Sequence, residues 1–312
     1  MAGAVAVPGH RHRRTAPPAA PAPPAPAPAA GRRPAAGGRR PDPSSRPPAR
    51  PPARRAARRH PNDHKSQPTK RNRDMPTLGI IGSGSMGTAI ARLAVAADVK
   101  VAIANSRGPE TLTALVSELG PLAGAGTVEQ IAQDADLIVL AVPILAYRSV
   151  PAAPLRGHTV LDTSNYYPIR DGRIPELDSE KLTTSELVQQ HLEGAHLVKA
   201  FGNILAHHIT QLARPSGAPD RTALPIAGDH AAANTAAAAL VDRIGFDTLD
   251  TGPLADSWRF EPETTAYTWL YMADQNTAFE DRFEAPGAPF PIASLRTALL
   301  DVKRVRVAER TF

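Results

Sequence analysis

Thr77-Leu78-Gly79-Ile80-Ile81-Gly82-Ser83-Gly84-Ser85-Met86-Gly87 decides how this chain is read. The apolar run Leu78, Ile80 and Ile81 is too brief for a helix and feeds directly into Gly82-x-Gly84-x-x-Gly87, after which Thr88 to Ala97 continues in helix formers. Strand, glycine turn and helix therefore follow in order. Gly82 permits the tight turn, Gly84 lets the backbone approach a pyrophosphate, and Gly87 lets the helix pack close to the strand. The free amides at the helix start then face the phosphates. A bare GxGxxG is common in Gly/Ala-rich chains; the strand before it and the helix after it make this one a dinucleotide site.

Working outward, Val99 to Ala104 reads as a second strand and ends at Asn105-Ser106-Arg107. Here, about 20 residues past the glycines, an NAD site places an acid against the ribose 2′-hydroxyl. No acid is present. Asn105 brings no repulsive charge, Ser106 can donate to a phosphate, and Arg107 can pair with a 2′-phosphate, so NADP is favoured over NAD. The competing reading leaves Arg107 solvated at the start of a helix opened by Gly108-Pro109-Glu110.

The alternation continues. Helices are expected over 111–119 and 127–133, and strands over 136–142, 159–162 and 195–201. Asp136 to Val142 is a nearly continuous apolar run that suits a strand covered on both faces. Ala141, Val142 and Pro143 follow it at the carboxyl edge of the sheet, where ligands bind in open α/β folds. After Pro215 to Arg221, strands are expected over 222–228 and 246–251, and helices over 230–244, 264–272 and 292–302. The fold class is α/β, a Rossmann-type doubly wound, mostly parallel sheet with a small C-terminal α/β extension. Three parts are expected: a tail over 1–74, an NADP-binding domain over 75–213, and a region over 214–312 that closes the substrate cleft.

Cofactor contacts are assigned to Gly82, Ser83, Gly84, Ser85, Met86, Gly87, Asn105, Ser106, Arg107, Ala141, Val142 and Pro143. Candidate substrate residues at the strand ends are Asn165, Tyr166, Lys199 and Asn203. Each has a plainer alternative: the asparagines could bind only loop backbone, Lys199 could be a solvated edge residue, and Tyr166 and Tyr167 could be core packing. His207 and His208 are neighbours about 100° apart on a helix, and no metal is assigned to them. No nucleophile elbow surrounds any serine, and no general acid or base is assigned.

Composition changes near Met75. Residues 1–74 hold 17 of the 36 Lys and Arg, 3 of the 30 Asp and Glu and 17 of the 33 prolines, leaving the remainder acidic. With few apolar residues to offset backbone entropy, the tail is expected to be disordered. A basic arm for nucleic acid is one reading; a translated leader or an upstream start, given Met75-Pro76 just before the first strand, is preferred. No apolar stretch suits a secretory signal or a membrane span. There is no cysteine, which excludes disulfides and thiolate chemistry and suits a cytoplasmic protein.

Taken together, Gly82-Ser-Gly84-Ser-Met-Gly87, Asn105-Ser106-Arg107, Ala141-Val142-Pro143, Lys199-Ala-Phe201, Ala227-Gly228-Asp229, Gly245-Phe246 and Asp250-Thr-Gly252-Pro253-Leu254, then Arg259 and Glu261-Pro262, resemble the NADPH-dependent F-420 reductase family. The resemblance runs from about Met75 to Phe279. It implies hydride transfer between NADP(H) and coenzyme F-420, an 8-hydroxy-5-deazaflavin, by a homodimer. His230 and the segment Tyr166-Tyr167-Pro168-Ile169-Arg170-Asp171-Gly172 depart from the family pattern. A β-hydroxyacid or imine-type reductase of a small substrate, or a non-catalytic NADPH-binding sensor, are the alternatives.

Overall fold

A computed structural model describes residues 77–278 and 280–311 of the chain. The expected tail over 1–74 lies outside the described residues. Everything described belongs to one of the two units into which the chain divides, Ser66–Phe312.

The strands in chain order are β1 (Thr77–Ile81), β2 (Lys100–Ala104), β3 (Ala123–Ala125), β4 (Leu137–Leu140), β5 (Thr159–Asp162), β6 (His196–Lys199), β7 (Ala223–Gly228) and β8 (Asp247–Asp250). The helices are α1 (Ser85–Ala96), α2 (Thr113–Leu119), α3 (Val128–Asp134), α4 (Pro168–Asp171), α5 (Pro175–Asp178), α6 (Thr184–His191), α7 (Ala206–Leu212), α8 (Ala231–Arg243) and α9 (Ile292–Leu300). The strands form a single sheet in the order β3-β2-β1-β4-β5-β6-β7-β8. Strands β1 to β6 are parallel, as the alternation of strand and helix demands. Strand β7 runs antiparallel to β6, with Lys199 opposite Ala227, and β8 is parallel to β7.

Strand order reverses between β1 and β4, and this switch point puts a crevice outside their carboxyl ends. Both faces of the central strands are covered, which explains their unbroken apolar sequence. Ile80, Val139, Leu161 and Val198 point to the layer containing Ile90 of α1 and Val241 of α8. Ile81, Ile138, Leu140 and Val160 point to the opposite layer with Leu187 and Val188 of α6.

Two expected helices differ in form. The one over 111–119 begins as a 3₁₀ turn at Pro109–Leu112 before α2, because Pro109 fixes the entry but the turn tightens around it. The one over 264–272 is a 3₁₀ turn at Thr268–Tyr271 only. Leu254–Phe260, after the Gly252-Pro253 turn, is also 3₁₀.

Candidate functional site

The carboxyl ends of β1, β2 and β4 enclose a cleft of about 250 Å³. Its walls include Gly82, Ser83, Gly84, Asn105, Ser106, Arg107, Ala141, Val142 and Pro143, so nine of the twelve residues assigned to the cofactor from sequence are brought together. Val128, Ala146, Ser149, Val150 and Pro151 complete the lining, an apolar contribution from α3 and the loop after β4 that sequence spacing did not single out.

The glycines divide the work. Gly82 has φ +115°, and a β-carbon there would stand 2.1 Å from the Ala141 carbonyl oxygen. Gly87 is equally constrained, since its β-carbon would stand 2.1 Å from the Gly82 carbonyl. By contrast, a β-carbon on Gly84 would meet nothing within 4 Å, which is open space directly in front of α1. Gly84 is the N-cap of α1 and provides no side-chain cap, so the first-turn amides have no intramolecular side-chain acceptor. That arrangement suits a bound phosphate.

Asn105 does not simply face the cleft. Its Nδ2 donates to Thr111 Oγ1 at 2.9 Å and approaches Ser83 Oγ at 3.3 Å, while its Oδ1 accepts from the Arg107 N–H at 3.0 Å. One side chain thus fixes the loop after β2 against the glycine loop. Arg107 forms no ion pair among the described residues, and with Ser106 it stands opposite the glycine turn. The residues fit an NADP-type nucleotide: small backbone at the pyrophosphate, cation and hydroxyl at the 2′-phosphate, no acid there, and apolar Val128 and Val150 for a base.

Ser85, Met86 and Gly87 lie outside this cleft. Ser85 lines a neighbouring depression with Thr88, Arg92 and His207; Met86 packs against the core; Gly87 closes the loop from behind.

The four candidate substrate residues separate. Asn165 stays at the sheet edge, donating to the Gly202 carbonyl at 2.6 Å, with its Oδ1 buried and unpartnered. Tyr166 is fully buried; its hydroxyl accepts from the Ile174 N–H and lies 2.9 Å from Asp178, so it is framework rather than a stacking surface. Asn203 is likewise buried, donating to Ala266 O and the Tyr271 hydroxyl. Lys199 is neither a solvated edge residue nor a group reaching a ligand. It has no exposed surface, donates to the Ser164 carbonyl and stands 4.0 Å from Asp162 Oδ2.

Asp162 also accepts from Ser164 Oγ at 3.0 Å and Ser185 Oγ at 2.6 Å. Beyond Lys199, buried Glu261 accepts from the Thr184 N–H at 2.8 Å and from Arg310 at 2.9 Å. Burial pushes the Glu261 carboxyl up, but Arg310 and Lys199 outweigh it and hold the group below its ordinary value. His207 and His208 each place Nε2 2.9 Å from the same Ala285 carbonyl, and burial pushes His208 down.

A second cavity, of about 360 Å³, is lined by Tyr167, Ile169, Arg170, Leu205, Tyr267, Arg282 and Phe283. Sequence reading flagged 166–172 as unusual but not Tyr267, which no local pattern connects to Tyr167. The Tyr167 and Tyr267 hydroxyls hydrogen-bond each other, and Asn165 Nδ2 is 3.4 Å from both.

Fold and cleft together have the architecture of a Rossmann-type dinucleotide-binding protein. Residues 77–166 match the family described as NADP oxidoreductase, coenzyme F420-dependent. The hypothetical protein SMa0349 from Sinorhizobium meliloti is 33% identical with a TM-score of 0.50, over 59% of this chain and 88% of that one. The chain belongs to this NADP oxidoreductase family. A candidate F420-dependent NADP reductase from Arthrobacter sp. FB24 is 22% identical over 58% of this chain and 86% of that one, with a TM-score of 0.49. An imine reductase from Myxococcus stipitatus is 19% identical over 58% of this chain and 56% of that one, with a TM-score of 0.40. Neither of these two fixes an acceptor. Protein YjhV of Escherichia coli K12 is 43% identical over 53 residues, 17% of this chain and 39% of that protein, so the match spans well under half of the curated relative. No helix among the described residues is long and apolar enough to cross a membrane.

Proposed function

We propose that this protein transfers hydride between NADP(H) and coenzyme F-420, and that it works as a cytoplasmic homodimer. The observation that carries the NADP half is the pairing of Ser106 and Arg107 across the cleft from Gly84, with no acid at the strand end. Arg107 would pair with the 2′-phosphate, Ser106 would donate to it, and Gly84 with the uncapped start of α1 would receive the pyrophosphate. The nicotinamide supplies the hydride when bound. Val142 and Pro143 would flank it where β4 leaves the sheet. The protein's part is positioning: two rings held in near-attack geometry gain about 7 to 11 kcal/mol over free encounter. Asn105 contributes indirectly by fixing both phosphate-facing loops to one another.

A second reading replaces F-420 with a small cyclic imine or carbonyl. The second cavity favours it, being about 360 Å³ and built from a segment that departs from the family pattern.

The test compares NADPH and NADH with the parent and Arg107→Ala, following NADPH oxidation with and without F-420. Removing a charge-assisted hydrogen bond to the 2′-phosphate should lower kcat/KM for NADPH by about 10- to 100-fold and leave NADH nearly unchanged. Equal losses for both nucleotides would remove the assignment of Arg107.

A further inference from the structure

Leu205, Ala206 and His207 stand where two hollows meet. Leu205 lines the second cavity, whereas Ala206 and His207 line an open depression of about 620 Å³ with Ser83, Gly84 and Ser85. Ser83 and Gly84 also line the nucleotide cleft, so the depression begins where the cleft ends. We propose that His207 is a positioning residue joining the nucleotide site to the second cavity: its Nδ1 accepts from a ribose hydroxyl of bound NADP(H), and its Nε2–H holds the segment 280–288. The inference rests on the NADP reading of the cleft.

The carbonyl fixes the tautomer. His207 Nε2 and His208 Nε2 each stand 2.9 Å from Ala285 O, which can only accept and has two lone pairs to receive both donors. With hydrogen on Nε2, a neutral imidazole presents a lone pair at Nδ1. That lone pair suits a hydroxyl and not a phosphate oxygen. The ribose that follows the pyrophosphate has to pass Gly84, which faces both cleft and depression. Other polar groups of the depression are engaged: Thr88 Oγ1 donates to Ser83 O, Thr210 Oγ1 to His207 O, and Arg92 to Glu118. His207 Nδ1 has no partner among the described residues, and the ring is half-buried. The Nδ1 of His208, by contrast, is enclosed.

The segment held by His207 is lightly attached. Arg282 and Phe283 bring it into the wall of the second cavity, yet Glu280, Asp281, Phe283, Glu284 and Pro286 are exposed. Further ties are Gln211 Oε1, accepting from the Gly287 N–H at 3.0 Å, and Tyr271 O, accepting from the Ala288 N–H at 2.8 Å. Few buried contacts and surface hydrogen bonds mark a segment that opens locally at low cost. Helix α7 is its fixed support, since Ile209 and Leu212 are enclosed in the layer that holds Ile90 and Ala94 of α1. A hydrogen bond received at Nδ1 polarises the ring and strengthens the Nε2–H bond on its other side. Nucleotide binding therefore favours the attached segment, and the cavity wall forms once the nucleotide is in place.

Hydrogen exchange of the full chain, with and without saturating NADP⁺, reads both ends at once. Amides of residues 83–88 report the nucleotide, and those of 284, 285, 287 and 288 report the segment. Expected in the parent is slower exchange at both, by about threefold to tenfold in the segment, the worth of one neutral hydrogen bond. His207→Phe should abolish the segment's response while 83–88 still respond, and should weaken NADP⁺ binding by a similar factor. Gln211→Met removes a different tie to the same segment, so its exchange should be faster throughout yet still slow on addition of NADP⁺. If His207→Phe behaves like Gln211→Met, His207 is only structural and the proposal is overturned. A second measurement needs no variant: the ¹⁵N signal of His207 Nδ1 in the parent should move when NADP⁺ is added. An unmoved signal, or a parent segment indifferent to NADP⁺, overturns the proposal while protection at 83–88 leaves the NADP reading standing. No protection at 83–88 overturns both.

Discussion

Gly82 and Gly84 sit two residues apart, yet substitution should separate stability from binding. At Gly82 an added methyl meets the Ala141 carbonyl at 2.1 Å in a backbone of φ +115°, so Gly82→Ala should destabilise the protein by about 2 kcal/mol or more. At Gly84 the backbone is extended at φ −76° and the methyl meets open space. Gly84→Ala should therefore change stability by no more than about 1 kcal/mol, the scale of an N-cap effect. Its methyl would occupy the approach to the pyrophosphate, so NADPH affinity should still fall about 10-fold or more. Denaturant midpoints and fluorescence titration of NADPH measure the two effects separately. Equal stability losses at both positions would contradict this division.

At the scale of elements, α6 shows what local sequence can specify. Thr183 Oγ1 accepts from the Glu186 N–H and the Glu186 side chain accepts from the Thr183 N–H, a complete capping box. Behind it, Ser185 bonds Asp162 and the Thr184 N–H bonds Glu261, so the helix start orients the ends of two other segments. Thr183→Ala should cost about 1 kcal/mol, read from a chemical melt; a cost near zero would mean that tertiary contacts alone set the helix start. The Thr-x-x-Glu pattern lies in the sequence but takes its meaning only from the helix it opens, whereas β5 was read to its boundaries, because four apolar-rich residues between turns have few alternatives. The strand-turn-helix of β1 and α1 and the polar end of β2 were legible because each depends on neighbours within about 30 residues. The second cavity was not. Tyr167 and Tyr267 meet across 100 residues of chain, and Lys199 reads as an edge residue until β7 is seen to cover β6 in the antiparallel sense.

Across the whole molecule, four buried charges join the sheet edge to the last described turn of chain: Asp162 on β5, Lys199 on β6, Glu261, and Arg310, bound to Glu261 at 2.9 Å. Two acids and two bases balance, which is the condition under which burying such groups is tolerable. Arg310 also donates to the Tyr166 carbonyl at 3.2 Å, tying the residue before Tyr167 to the same network. Removing Arg310 leaves Glu261 enclosed with only the more distant Lys199, and Arg310→Met should cost about 3 to 5 kcal/mol at neutral pH. The sign of the pH dependence should change as well. In the parent, Glu261 is held below its unfolded value, so its contribution is present above the ordinary glutamate range, about 4.3, and is lost as pH falls through the folded value. In the variant, burial is the larger influence and raises the carboxyl, so stability is retained below the unfolded value and lost as pH rises through the folded one. The gap in Tm between parent and Arg310→Met should accordingly be wide at pH about 7 and narrow towards pH about 4. A second change, Glu261→Gln, should return part of the loss at neutral pH by removing the uncompensated carboxylate. A gap that stays constant with pH, or a double variant no better than the single one, would show that Arg310 acts through packing and not through its charge.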